Sequence, residues 1–297
     1  MAPISRREAG KLLLAGSAGL LATRQQLLSA DYINSVVRGV QIGAQSYSFR
    51  DRPLDACLEA FRTVGLGECE LSDGHVVPQN LKAEESRKWR LTAPLSYFHE
   101  VREKFDRAGV LLYAFTCGFR KDMTDAEMER VFQMARALGV RYMTSSANVS
   151  VAPRVDKFAQ KYKIMVGFHG HDHTSDPDEF STAETFARAM KGASKYIGAN
   201  LDIGHFTAAG GDPVEYTRLH HDRIVALHIK DRKKNHGANL PFGQGDTPII
   251  TVLRLLRDER WKIPANIEYE YSEEIKGLDT IAEMKKCFEY CKQALET

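Results

Sequence analysis

The chain lacks any apolar run long enough to cross a bilayer. Its longest, "LLLAGSAGLLA" (12–22), has eleven of the 297 residues, against the ~20 a membrane helix needs. Cysteine is scarce: the five residues at 57, 69, 117, 287 and 291 form no CxxC pair and no zinc-ribbon spacing. Cys287 and Cys291 sit four apart on an expected helix, a poor arrangement for a disulfide, so buried thiols are the expectation. No GxGxxG follows the first expected strand, which argues against a dinucleotide-binding fold. Charge of one sign is missing too. The formal net charge is +2, and Arg6, Arg7, Lys11 and Arg24 against Glu8 give the first 24 residues +3, leaving −1 for the remainder. Such a balance offers no basic track to a nucleic acid.

What is present begins with a leader. A basic stretch containing Arg6-Arg7 precedes the short apolar run, and the pair resembles a twin-arginine export signal. Residues 1–30 are therefore expected to be a signal peptide outside the folded domain, and the protein to be periplasmic or otherwise exported, with no membrane span in the mature chain. The cleavage point is not marked, because Leu20 and Leu28 stand at −3 from Ala22 and Ala30, where a small residue is expected.

From residue 38 to 297 short β-branched or apolar runs alternate with amphipathic helical stretches. The expected strands are 40–48, 67–72, 110–117, 140–146, 163–169, 197–203, 224–230 and 265–271. Between the third and fourth, "TDAEMERVFQMARALG" reads as a helix with a Thr124/Glu127 capping box. Its apolar stripe is Met128, Val131, Phe132, Ala135 and Leu138, and Gly139 stops it. Eight strand–helix units over this length, with no linker to divide them, predict an α/β fold: a single-domain (β/α)8 TIM barrel.

In such a barrel the active site lies at the C-terminal ends of the strands. The fifth strand ends in His169 and the sixth in Asp202; the seventh carries His228 and the eighth Glu268. Four metal-ligand side chains at one end of four consecutive strands predict a metal centre of His169, Asp202, His228 and Glu268. Period-two alternation adds His171, Lys230 and Glu270 to the same faces, and "DIGH" puts His205 three residues past Asp202. The second strand offers Glu70, with His75 in the loop beyond. Lys230 could instead balance Asp231 or Glu268. Asp172, His173 and Asp176 read as a solvated loop, and His220 and His221 fall at the opposite end of the barrel.

The segments "VQIGAQSYSFRD", "NLDIGHF", "LHIKDR", "PFGQGDTP" and "PANIEYEY" resemble the sugar phosphate isomerase/epimerase family, the xylose isomerase-like TIM barrels, over about residues 38–292. The resemblance implies one divalent metal held by Glu, Asp, His and Glu from strands five to eight. Asp202, His228 and Glu268 match the last three; His169 stands where the first Glu is expected. Two imidazoles and two carboxylates make a cage that favours Mn2+, Co2+, Zn2+ or Fe2+ over Mg2+.

The family chemistry removes a proton beside a carbonyl and stabilises the resulting enediolate. Glu268 can serve as one base. With the strand-five carboxylate absent, His171 or His205 must be the other group, and Lys230 is a further candidate catalytic residue. The expected function is a metal-dependent isomerase or epimerase of a small carbohydrate or polyol. "GQGDTP" is a weak phosphate loop that more naturally shapes the seventh-strand loop, and phosphorylated sugars suit an exported protein poorly. The alternatives are a lyase or dehydratase acting on keto-polyols or 3-keto-glycosides, and a sugar-binding barrel without turnover.

Overall fold

The computed structural model describes residues 32–78 and 80–297; the proposed export signal lies outside them. Eight parallel strands close into a barrel: β1 Val40–Gln45, β2 Glu68–Ser72, β3 Leu111–Thr116, β4 Tyr142–Ser146, β5 Met165–His169, β6 Ile197–Asp202, β7 Ile224–Ile229 and β8 Ala265–Ile267. Each pairs with its sequence neighbours, and β8 returns to β1. A two-residue strand, Val36–Val37, forms an antiparallel hairpin with the start of β1.

The helices between strands bury apolar stripes against the outside of the barrel. In Asp125–Ala137 the Thr124/Glu127 capping box is present, and Met128, Val131, Phe132 and Ala135 are buried on one face. Gly139, at φ 73°, follows the helix in the left-handed region that glycine tolerates. All five cysteines are free and buried, as their spacing suggested. No helix among the described residues is long and apolar enough to cross a membrane.

Two expected strands end well before their patterns do. The run at 40–48 stops at Gln45, where the chain turns into a 3-10 helix, Ser46–Phe49, with the Gln45 side chain accepting from Tyr47 N. The run at 265–271 pairs only over Ala265–Ile267. Glu268 and Glu270 thus lie just beyond the last paired residue, where their side chains are free to turn over the barrel mouth.

The inside of the barrel departs from the branched apolar packing usual for this architecture. Its upper half holds Gln45, Glu70, Thr116, Thr144, Asn200, His228 and Asn266, joined by hydrogen bonds. Glu68 lies buried beside them. Gly43 makes room for it, since a Cβ there would come within 1.7 Å of Glu68 Oε2.

Candidate metal centre and the groups around it

Register brings the site together. Asp202 on β6 stands opposite His228 on β7, and His228 stands opposite Asn266 on β8, two residues before Glu268. Asp202 ends its strand and caps the short helix Ile203–Ala208. Its Oδ1 accepts from His205 N at 2.7 Å, which leaves Oδ2 facing the barrel axis.

One ligand atom from each of His169, Asp202, His228 and Glu268 lies within 4.8 Å of every other, and all four side chains are buried. His169 Nε2 is 3.5 Å from Asp202 Oδ2 and 3.7 Å from Glu268 Oε2; His228 Nδ1 is 3.1 Å from Glu268 Oε2. Ligands sharing an ion at ~2.0–2.2 Å stand roughly 3.3–3.6 Å apart in a tetrahedron, so these edges need little adjustment. His169 Nε2 and Asp202 Oδ2 are also buried without a hydrogen-bond partner. Two such atoms converging on one point, next to an imidazole and a second carboxylate, are what a borderline divalent cation requires. The residues fit a metal.

The charged groups around the centre hold one another ionised. Burial opposes ionisation of Glu268, but His228 and Lys230 outweigh it and hold the carboxyl well below its ordinary range. Asp202 is likewise held down, by Lys230 and then His205, against burial. Burial opposes the charge on Lys230 as well, yet Asp202, Glu268 and Glu270 keep it protonated. Its Nζ lies 3.0 Å from Asp202 Oδ2, 2.8 Å from Glu268 Oε2 and 2.6 Å from Glu270 Oε2. Its contact with Asp202 Oδ2 is an ion pair and not a hydrogen bond. The sequence left Asp231 open as its partner. That carboxylate instead accepts from Gly243 N, Gly245 N and Thr247 N, and so shapes the "GQGDTP" loop.

Beneath the ligands, Glu70 acts as a hub. Its carboxylate accepts from Gln45, Thr116, Thr144, Asn200 and Asn266, and both its oxygens lie 3.0 Å from His228 Nε2. His228 holds it ionised despite complete burial. Glu68, two residues earlier, shows the opposite outcome: burial, then the Glu70 charge, push its carboxyl well above the ordinary range. Its neutral acid form relieves a second buried charge. Sequence reading named Glu70 but not its partner, and overlooked Glu68; the available signal was two acidic residues at period two in an otherwise apolar strand.

The two candidate proton carriers differ. His205 is engaged at both ring nitrogens: Lys230 Nζ is 3.0 Å from Nε2 and Arg232 Nη1 is 2.6 Å from Nδ1. His171 has a looser setting, with Glu179 Oε2 3.6 Å from Nδ1, and it lines the central cavity beside His169. Burial, then the neighbouring His169, His205 and Lys230, depress its pKa to about 3, so its ring is neutral near pH 7.

The expectation for Asp172 is corrected. It does not belong to a solvated loop: its side chain is 13% exposed, 2.9 Å from Arg232 Nη1 and 3.4 Å from His205 Nδ1, with His236 on its other oxygen at 3.2 Å. The loop folds back because Arg232 and the hairpin after β7 offer it positive charge, and single-strand periodicity carries no sign of that. His173 and Asp176 are exposed as expected. His75 is held by Ser46 Oγ and Phe49 O, and His221 stacks on Trp261 away from the site.

The cavity over these groups holds about 320 Å³, the low end of the range for small-ligand sites. The sequence pattern of the xylose isomerase-like TIM barrel family matches residues 90–293. Inosose dehydratase of Lactiplantibacillus plantarum is 31% identical over 80 residues, covering 27% of this chain and 25% of that protein; the match thus spans a quarter of that relative's length. Among solved structures, the IolI protein with a bound zinc superposes with TM-score 0.66 at 15% identity, over 86% of this chain and 98% of that one. A sugar phosphate isomerase/epimerase from Parabacteroides distasonis gives 0.61 at 17%, over 88% and 96%. A probable 3-DHS dehydratase from Bacillus anthracis gives 0.61 at 13%, over 83% and 98%.

Proposed function

The chain belongs to the xylose isomerase-like TIM barrel family, and we propose that it is a divalent-metal-dependent isomerase or epimerase of a carbohydrate or polyol. The observation that carries this reading is the convergence of His169, Asp202, His228 and Glu268 under a cavity that His171 and Glu270 also line. A divalent ion held by those four residues would supply Lewis-acid stabilisation of an enediolate. The remaining work falls to the chain. Glu268 and His171 follow different strands, line the same cavity and can both reach a substrate held there. Lys230, fixed as an ammonium by three carboxylates and only 2% exposed, holds Glu268 and Glu270 in place at the edge of the cavity.

Sugars and polyols incubated with the metal-loaded protein in D2O provide the test. Deuterium entering the carbon beside the carbonyl, together with an isomeric product, supports the reading. A panel without exchange on any substrate would refute it.

A second reading, elimination, is favoured by one arrangement. His205 lines the central cavity and can hand a proton to a departing hydroxyl, and two relatives are described as dehydratases. An unsaturated ketone, seen by its ultraviolet absorbance, would select it over isomerisation.

A further inference from the structure

Next to the central cavity lies a second chamber of about 380 Å³, and the two share Tyr47, Ser72 and Asp73 as walls. We propose that this chamber binds a second, uncharged sugar ring, so that the substrate is a disaccharide whose reacting ring sits over the metal ligands. The inference rests on the proposed carbohydrate chemistry of the main site and specifies its substrate class.

Charge decides against an anionic occupant. The chamber's two arginines are already neutralised. Arg50 Nη2 binds Glu273 at 2.9 Å, while its Nη1 donates to the carbonyls of Tyr47 and Tyr269. Arg90 Nη2 binds Asp73 at 2.7 Å. With both guanidinium charges already paired, the chamber offers an anion no uncompensated positive charge, and a neutral hydroxylated ring needs none. His75 contributes wall, not chemistry, because both its ring nitrogens are spent on Ser46 and Phe49.

The same walls suit a pyranose. Val77, Pro78 and Leu81 present an apolar side for the C–H face of the ring. Ser72 and Ser86 add hydroxyls to the wall that can bond those of a sugar. Tyr47 stands at the boundary of the two chambers and is 38% exposed. The Arg50 guanidinium lies over its ring, 4.5 Å from the centroid, and holds the aromatic in place. An ordered aromatic at the junction of two polar chambers is a platform that costs little entropy to use.

Calorimetry and saturation-transfer NMR on the metal-loaded protein test this. The probes are methyl glycosides of glucose, galactose and mannose, set against trehalose, cellobiose, lactose and mannobiose. At least one disaccharide should bind about tenfold or more tightly than its methyl glycoside. Ser86→Trp, which fills the chamber from the helix Ala83–Thr92, should remove that advantage. Leu81→Trp gives the same readout should Ser86→Trp fail to fold. If methyl glycosides bind and no disaccharide binds better, the second subsite is wrong while the carbohydrate reading stands. If sugars of neither size bind, the second subsite falls, and the carbohydrate reading stands or falls separately on deuterium exchange. A disaccharide advantage that survives the filled chamber also overturns the assignment.

Discussion

Both carboxylate oxygens of Glu70 lie 3.0 Å from His228 Nε2, while His228 Nδ1 faces Glu268 Oε2 at 3.1 Å. One ring nitrogen is therefore committed to a buried carboxylate, and the other is turned toward the centre where His169 and Asp202 converge. A carboxylate behind an imidazole ligand fixes its orientation and raises its basicity.

Glu70→Gln follows directly. The amide keeps the shape but loses the charge that holds the ring, so affinity for Zn2+ or Mn2+ should fall about 10–100-fold, the usual cost of removing such a partner. Chelator competition on the purified variant measures this, and circular dichroism controls for folding. Unchanged affinity would reduce Glu70 to a packing role.

Lys230 leads to the opposite expectation. Its ammonium sits on Asp202 and Glu268, two of the groups that would hold the ion. Like charges at this range repel even with substantial screening. Lys230→Met should therefore tighten metal binding, on the order of tenfold, while lowering turnover. A variant that binds metal more weakly would mean that the ammonium orders the carboxylates more than it competes for them.

Stability at low pH should report on Glu127, away from the site. Its hydrogen bonds with Arg87, and then with the Thr124 backbone and hydroxyl, lower its pKa from 4.5 to about 2. A carboxylate depressed in the folded state contributes stability above its unfolded pKa, and that contribution is lost as pH falls from about 4.5 to about 2. The melting temperature of Glu127→Gln should accordingly start lower at neutral pH and decline less steeply across that window. Parallel curves for the two proteins would contradict the ion pair.

The four converging side chains were legible in the sequence because strand ends are. An apolar run fixes its own register, and barrel closure brings each last inward residue to one rim. His169, Asp202, His228 and Glu268 meet for that reason, even though β8 proved shorter than its pattern. What single-strand periodicity hides is contact across the barrel and between loops. Glu70 reaches His228 through the barrel interior, from β2 to β7. Asp172 is recruited by Arg232, sixty residues later in a hairpin whose fold depends on Asp231 gathering backbone amides. Neither contact leaves a local trace.

The division of labour between His169 and His171 is the sharpest test of the proposed chemistry. His169 is buried with Nε2 unpartnered and aimed at Asp202 and Glu268. His171, two residues on, lines the cavity and makes only a 3.6 Å approach to Glu179. The first should hold metal and the second should handle a substrate proton. His169→Ala should thus lose the ion and, with it, activity. His171→Ala should keep about one ion per chain, by elemental analysis, and lose turnover on the order of 10²–10⁴-fold, the usual contribution of a general acid or base. Deuterium exchange from D2O should fall in step, since the missing group acts on the proton itself. Loss of metal from His171→Ala would make it a ligand. An unaltered rate with metal retained would transfer the proton to His205, whose Lys230 and Arg232 contacts would then have to open during turnover.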